Sequence, residues 1–203
     1  MQVVICGWYF RPDILWLVNA FYGDNAFVVK HREGDTGNIP SKLYANVGLE
    51  FGAYRQFVEN HWDGESDVLF MHDDAIAKPE LFMDVERLSA LGVDQAYIFH
   101  DENEEFINGG CHGRGIWIKG SLIKEIASDF PADMTNDGVN IGVAAQKGIL
   151  AFHKRMGELS SNAQVIAIIP SFRFAHRGRL HEELFVYRKT AAGVPGGLVN
   201  VAQ

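Results

Sequence analysis

Ser66-Asp67-Val68-Leu69-Phe70-Met71 runs without a break into His72-Asp73-Asp74. Its four successive apolar residues show no polar alternation, so both faces of the strand must be covered, as they are in the interior of a parallel sheet. Such a strand ends at the carboxyl edge, where open α/β sheets collect ligands. Two adjacent carboxylates delivered to that edge repel each other strongly in a partly dry cleft unless a cation or protons neutralise them. Hard oxygen ligands suit Mg2+ or Mn2+, which keep positions open for phosphate oxygens and so link protein to a diphosphate.

Upstream of this stretch the chain alternates strand and helix. Val3-Val4-Ile5-Cys6-Gly7 is a second apolar strand. Pro12 and Asp13 open a helix that carries Ile14, Leu15, Leu17, Val18 and Phe21 before Gly23 stops it. A strand over 26–30 completes a βαβ unit, whose crossover is nearly always right-handed. Residues 32–41 are polar, with Gly34, Gly37 and Pro40, and read as a functional loop. Val47, Phe51, Tyr54 and Val58 then recur at helical spacing.

Downstream, Leu81, Phe82, Val85 and Leu88 form one stripe of a helix over 79–91, with Gly92 as its cap. Strands are predicted at 96–100, 115–119 and 165–169, and helices after Ser121 and over 138–147. This order predicts an α/β fold: a Rossmann-like three-layer α/β/α sandwich on a mainly parallel sheet, forming one domain over residues 1–190. The Gly-rich residues 191–203 read as a flexible tail.

Hydrophobic residues make up 47% of the chain, enough to build a core and to exclude disorder. A net charge of −8 disfavours a broad nucleic-acid surface, although a local basic cleft survives that average. No apolar run reaches the roughly 18 residues of a membrane span and no secretory signal is recognisable, so a cytoplasmic protein is expected. Cys6 and Cys111 lack disulfide or zinc spacing and read as reduced thiols.

With His72 in place of the first Asp, the run from Asp67 to Ala75 resembles the strand and DxD-type motif of GT-A glycosyltransferases. The likeness extends over roughly residues 1 to 190. It implies a GT-A-like fold, metal ligation by Asp74, and a ribose or metal contact by Asp73. Asn46, Gly48 and Tyr54 resemble the family's helix start beside the donor, and Trp8 and Tyr9 its base-binding edge. Gly110, His112, Arg114 and Trp117 fall where the family has its sugar and acceptor loop. Asp137 falls where an inverting enzyme has its general base. His176 corresponds to a late metal ligand, and Arg177 and Arg179 are placed to clamp a diphosphate.

The implied activity is metal-dependent transfer of a sugar from a UDP- or GDP-sugar to an acceptor hydroxyl, with Mn2+ or Mg2+ as cofactor. Two other readings stay open. One is a nucleotidyltransferase or pyrophosphorylase, and the other a sugar-nucleotide or carbohydrate-binding protein without turnover. Nothing in the sequence chooses the acceptor, and a modified nucleic acid is among the options.

Overall fold

The computed structural model describes residues 1–90, 92–99, 115–131, 152, 155, 156, 158, 159, 165–168, 172–176, 179, 180 and 198–200. The chain begins with β1 (Gln2–Gly7), α1 (Pro12–Tyr22), β2 (Ala26–Lys30) and β3 (Ser41–Leu43). It continues through α2 (Leu49–Asn60), β4 (Val68–His72), β5 (Ala75–Ala77) and α3 (Glu80–Ala90). Then come β6 (Gln95–Phe99), β7 (Gly115–Ile118) and α4 (Gly120–Ile126). The last described strands are β8 (Val165–Ile168), β9 (Phe172–His176), β10 (Arg179–Leu180) and β11 (Leu198–Asn200).

Eight of these strands form one mixed sheet in the order β11-β8-β6-β7-β4-β1-β2-β3. Only the pairings of β7 with β4 and β6 are antiparallel. The architecture is therefore α/β with a mostly parallel sheet, compatible with a Rossmann-like fold.

The apolar runs explain why β1 and β4 lie inside. Val3 and Ile5 of β1, with Leu69 and Met71 of β4, pack with α1 and α3 residues including Val18, Leu81 and Val85. Val4, Cys6, Val68 and Phe70 point the other way and pack with α2 and α4 residues including Tyr54, Phe57 and Ile123. Every second residue thus serves a different cluster, and each fully buried large apolar side chain contributes about 1.5–3 kcal/mol.

The ends of α1 follow local chemistry, and the start of α4 does not. Pro12 begins α1, and Gly23 closes it with φ at +46° while its N–H donates to the Asn19 carbonyl. Ser121, the expected cap of α4, already lies inside that helix, which starts at Gly120. The Gly120 N–H instead donates to the carboxylate of Asp67, from the chain just before β4, at 2.9 Å. A cap supplied across 53 positions has no local sequence signature.

A second, smaller sheet has the order β10-β9-β5. The expected loose tail supplies β11, which pairs in parallel with β8 and places Leu198 opposite Ile166. The helix expected over 138–147 lies outside the described residues. Among the described residues no helix is long and apolar enough to cross a membrane.

Candidate functional site

The chain leaves β1 for β2 on one side and returns to β4 on the other, so the carboxyl ends of β1 and β4 flank a topological switch point. A cleft of about 170 Å3 opens there. Cys6 comes from β1, Trp8 and Tyr9 from the loop that follows, His31 from the end of β2, and His72 from β4. Asn46, Leu49 and Glu50 close it from the start of α2.

The loop after β1 is held from beneath by Asp73. One carboxylate oxygen, Oδ2, accepts the backbone N–H groups of Trp8 at 2.7 Å, Tyr9 at 2.6 Å and Phe10 at 2.5 Å. Three converging amides form a nest for an anion. Here the protein's own carboxylate fills it. Asp73 and Asp74 are both fully buried. His72 Nδ1 lies 3.3 Å from Asp73 Oδ1 and 3.1 Å from Asp74 Oδ1.

The His72 ring thus lies against both carboxylates. Burial works to lower the pKa of His72, but the Cys6 sulfur and the Asp74 carboxylate outweigh it, and the ring is held well above its ordinary value. The pKa of Asp73 is raised by burial, which exceeds the opposing pull of His72 and the three amides. The Cys6 thiol is pushed up by burial despite its contact with His72.

These facts keep the acidic pair off the lining of the cleft. With Oδ2 given to three amides, Asp73 is a structural tie for the loop and not a ribose contact. Asp74 is buried against His72 and is not among the residues that line the cleft. Asp73 Oδ1 is buried without a hydrogen-bond partner among the described residues and has the His72 ring as its nearest cationic group, and among the described residues no group of three His, Cys, Asp or Glu side chains is placed to hold a metal ion.

Other expected donor and acceptor contacts also move. Tyr54 is fully buried, its ring centroid 4.8 Å from that of Phe70, because the apolar side of α2 lies on the sheet. Trp117 is equally buried and packs with the cluster on the α1 and α3 face. Gly48 serves the backbone: its φ is +84°, and a Cβ there would meet the Pro131 carbonyl at 2.6 Å. A Cβ on Gly52 would lie 1.5 Å from the Val47 carbonyl oxygen, so that glycine too admits the chain itself and not a ligand.

Trp8, Tyr9 and Asn46 do reach the cleft. The Tyr9 and His72 rings are tilted, with centroids 5.7 Å apart. The Asn46 Oδ1 is buried without a hydrogen-bond partner among the described residues. Asp137, Gly110, His112, Arg114 and Arg177 lie outside the described residues. His176 and Arg179 stand opposite each other in the β9–β10 pairing. The β5–β9 pairing, with Ala75 opposite Phe174, lays the strand that ends at His176 alongside the chain leaving Asp74.

Two groups that line the cleft, His31 and Glu50, and one beside its rim, Arg32, escaped the sequence reading. His31 is nearly buried, with Nε2 3.1 Å from Gln56 Oε1, and burial lowers its pKa despite that hydrogen bond. The Arg32 guanidinium sits 5.4 Å over the Trp8 ring and 5.9 Å over Phe10, within cation–π range. Glu50 brings the carboxylate at the cleft wall. The position of His31-Arg32 just after β2, at the same sheet edge as His72, was the available signal.

Phe10 and Leu49 both adopt left-handed backbone, with φ of +54° and +53°. Such conformations are uncommon outside glycine and persist where surrounding contacts dictate them. For Phe10 those contacts are the hydrogen bond that its N–H donates to Asp73 Oδ2 and a slot beside Gly34, where a Cβ would lie 2.1 Å from the ring.

No protein-family model matches the chain, and no curated protein does. Among solved structures, the crystal structure of A197 from STIV is similar over 62% of this chain and 69% of that one. The identity is 14% and the TM-score 0.38, a likeness that assigns neither family nor activity.

Proposed function

We propose that the chain is a glycosyltransferase of the nucleotide-sugar type, with the donor's nucleotide seated in the cleft at the ends of β1, β2 and β4. The observation that carries this reading is the position of the cleft at the switch point, with an aromatic pair, Trp8 and Tyr9, on a loop fixed by Asp73. Helices packed against both sides of the sheet support a three-layer arrangement of the GT-A kind. Base stacking on Trp8 leaves Arg32 beside the donor, where a guanidinium suits a phosphate oxygen. Asn46, with its buried amide oxygen, accepts a ribose or base donor.

In the transfer step, negative charge grows on the departing diphosphate as the sugar becomes oxocarbenium-like. Arg32, with Arg177 and Arg179, meets that charge. Asp137 takes the proton of the acceptor hydroxyl if the anomeric centre inverts. The engagement of Asp73 and Asp74 with the chain's own amides and His72 favours a second reading, nucleotide-sugar binding without turnover.

The test is thermal unfolding of the full chain with UDP, GDP and their hexose conjugates, each with Mn2+, with Mg2+ and with chelator. A ligand bound by the folded state alone at about 100 times its Kd adds roughly 2.7 kcal/mol. One nucleotide family is expected to raise Tm, and the gain to disappear in Trp8→Ala. Absence of stabilisation by every nucleotide refutes the reading. Product analysis with the stabilising donor then separates transferase from binder.

A further inference from the structure

A second concavity of about 280 Å3 lies between α1 and the loop that follows β2. The loop 8–12 divides it from the first cleft, since Trp8 and Tyr9 line one and Phe10 and Pro12 the other. Trp16 stands on its wall with 71% of its surface exposed. A tryptophan is the largest apolar side chain, and leaving it in water beside a concavity is informative where a scattered surface leucine is not.

The polar side chains that share this space with that ring are Asn19, Asp35, Thr36 and Asn38. Asn19 and Asn38 line the same space, and neither side-chain amide has a hydrogen-bond partner among the described residues. The Trp16 indole N–H has none among them either. The loop does not need Asn38 to hold its shape. Asp35 Oδ1 accepts the Gly37 N–H at 2.9 Å, and Thr36 Oγ1 donates to the Ile39 carbonyl at 3.2 Å. The wall is therefore preformed, and two planar amides on it, Asn19 half-buried and Asn38 exposed, each keep two donors and an acceptor open to the space.

We propose that this concavity is a saccharide-binding site. An indole face covers the C–H side of a pyranose, and carboxamides match vicinal hydroxyls with paired donor and acceptor atoms. Phe10 and Leu15 add apolar wall to the same space. The Asp35 carboxylate at the rim opposes phosphates and acidic sugars, so the ligand is a neutral glycan. The site is separate from the nucleotide cleft and stands whether or not that cleft works as proposed.

The test uses the 15N-labelled full chain and the indole resonances of its four tryptophans. The probes are the methyl glycosides of glucose, galactose, mannose and N-acetylglucosamine, and their linear hexasaccharides. One glycan series is expected to move the Trp16 indole saturably, with affinity reduced at least tenfold in Trp16→Ala and severalfold in Asn38→Ala. The response of the cleft to UDP or GDP stays as in the parent chain in both variants. The proposal is overturned if no probe moves that indole, or if Trp16→Ala binds the same glycan as tightly as the parent.

Discussion

The Oδ2 atom of Asp73 is 2.5 Å from the amide nitrogen of Phe10, a contact that joins the end of β4 to the loop after β1. The same oxygen holds Trp8 and Tyr9, so one buried carboxylate sets the conformation of the aromatic rim. Phe10 keeps its left-handed backbone at that contact.

Replacing Asp73 with Ala strands three amides and removes their acceptor. Hydrogen bonds to a charged group are worth roughly 1.5–3 kcal/mol each but act here as a unit, so a loss of about 3–5 kcal/mol is expected by urea unfolding. Asp73→Asn, which keeps one oxygen, is expected to lose less. A loss in Asp73→Ala below about 1 kcal/mol, the size of an ordinary surface change, removes the structural role assigned to the nest.

His72 faces Cys6, Asp73, Asp74 and, across the cleft, Glu50. Its pKa in the folded chain is raised above the ordinary value of 6.5, so its stabilisation is complete below that pH and fades as pH rises through the folded value. The Tm difference between the parent and His72→Gln is therefore expected to be largest near pH 6 and to shrink at alkaline pH. A difference that grows with pH contradicts the ion pair.

Trp8→Ala is expected to weaken the stabilising nucleotide by about tenfold or more, in line with roughly 1–3 kcal/mol for a base stacked on an aromatic ring. Tyr54→Phe leaves nucleotide affinity unchanged, because that ring is wholly within the core. Calorimetric titration of the two variants distinguishes rim from core, and equal losses in both dispose of the placement of the nucleotide beside Trp8.

Gly52→Ala drives a methyl to 1.5 Å from the Val47 carbonyl oxygen, a backbone atom that cannot rotate away. The start of α2 must shift, at an expected cost of about 3 kcal/mol or more, well outside the range of ordinary exposed helix glycines. Circular dichroism melts check this, and a Tm within a degree of the parent speaks against so close a passage of the chain at Val47.

Cys6 alkylation by iodoacetamide at pH 8, measured with Cys111 replaced by Ser, is expected to be much slower than for a free thiol. Burial both raises its pKa and blocks access. Denaturant should restore the rate, and rapid labelling of the folded chain shows the sulfur to be open to the cleft.

Much of the sheet was legible because continuous apolar runs have few alternatives to a doubly covered strand. Val3 to Cys6 and Val68 to Met71 became adjacent inner strands, and residues 26–30 became β2. The glycine after α1 and the proline at its start carried their usual meaning. The two- and three-residue strands β3, β5, β10 and β11 were missed, since so few residues give no measurable periodicity, and so was β9, where Arg173 and His176 interrupt the apolar pattern.

Taken alone, the sequence determined that β4 ends in an acidic pair at the ligand edge, because hydrophobicity and strand direction are local properties of the chain. Only the tertiary structure decided what that pair touches. Partners of a charge are chosen across 63 to 65 positions of sequence, where the Trp8, Tyr9 and Phe10 amides meet Asp73. Whether two neighbouring acids call for an external cation depends on which internal donors arrive beside them, and that is set by packing.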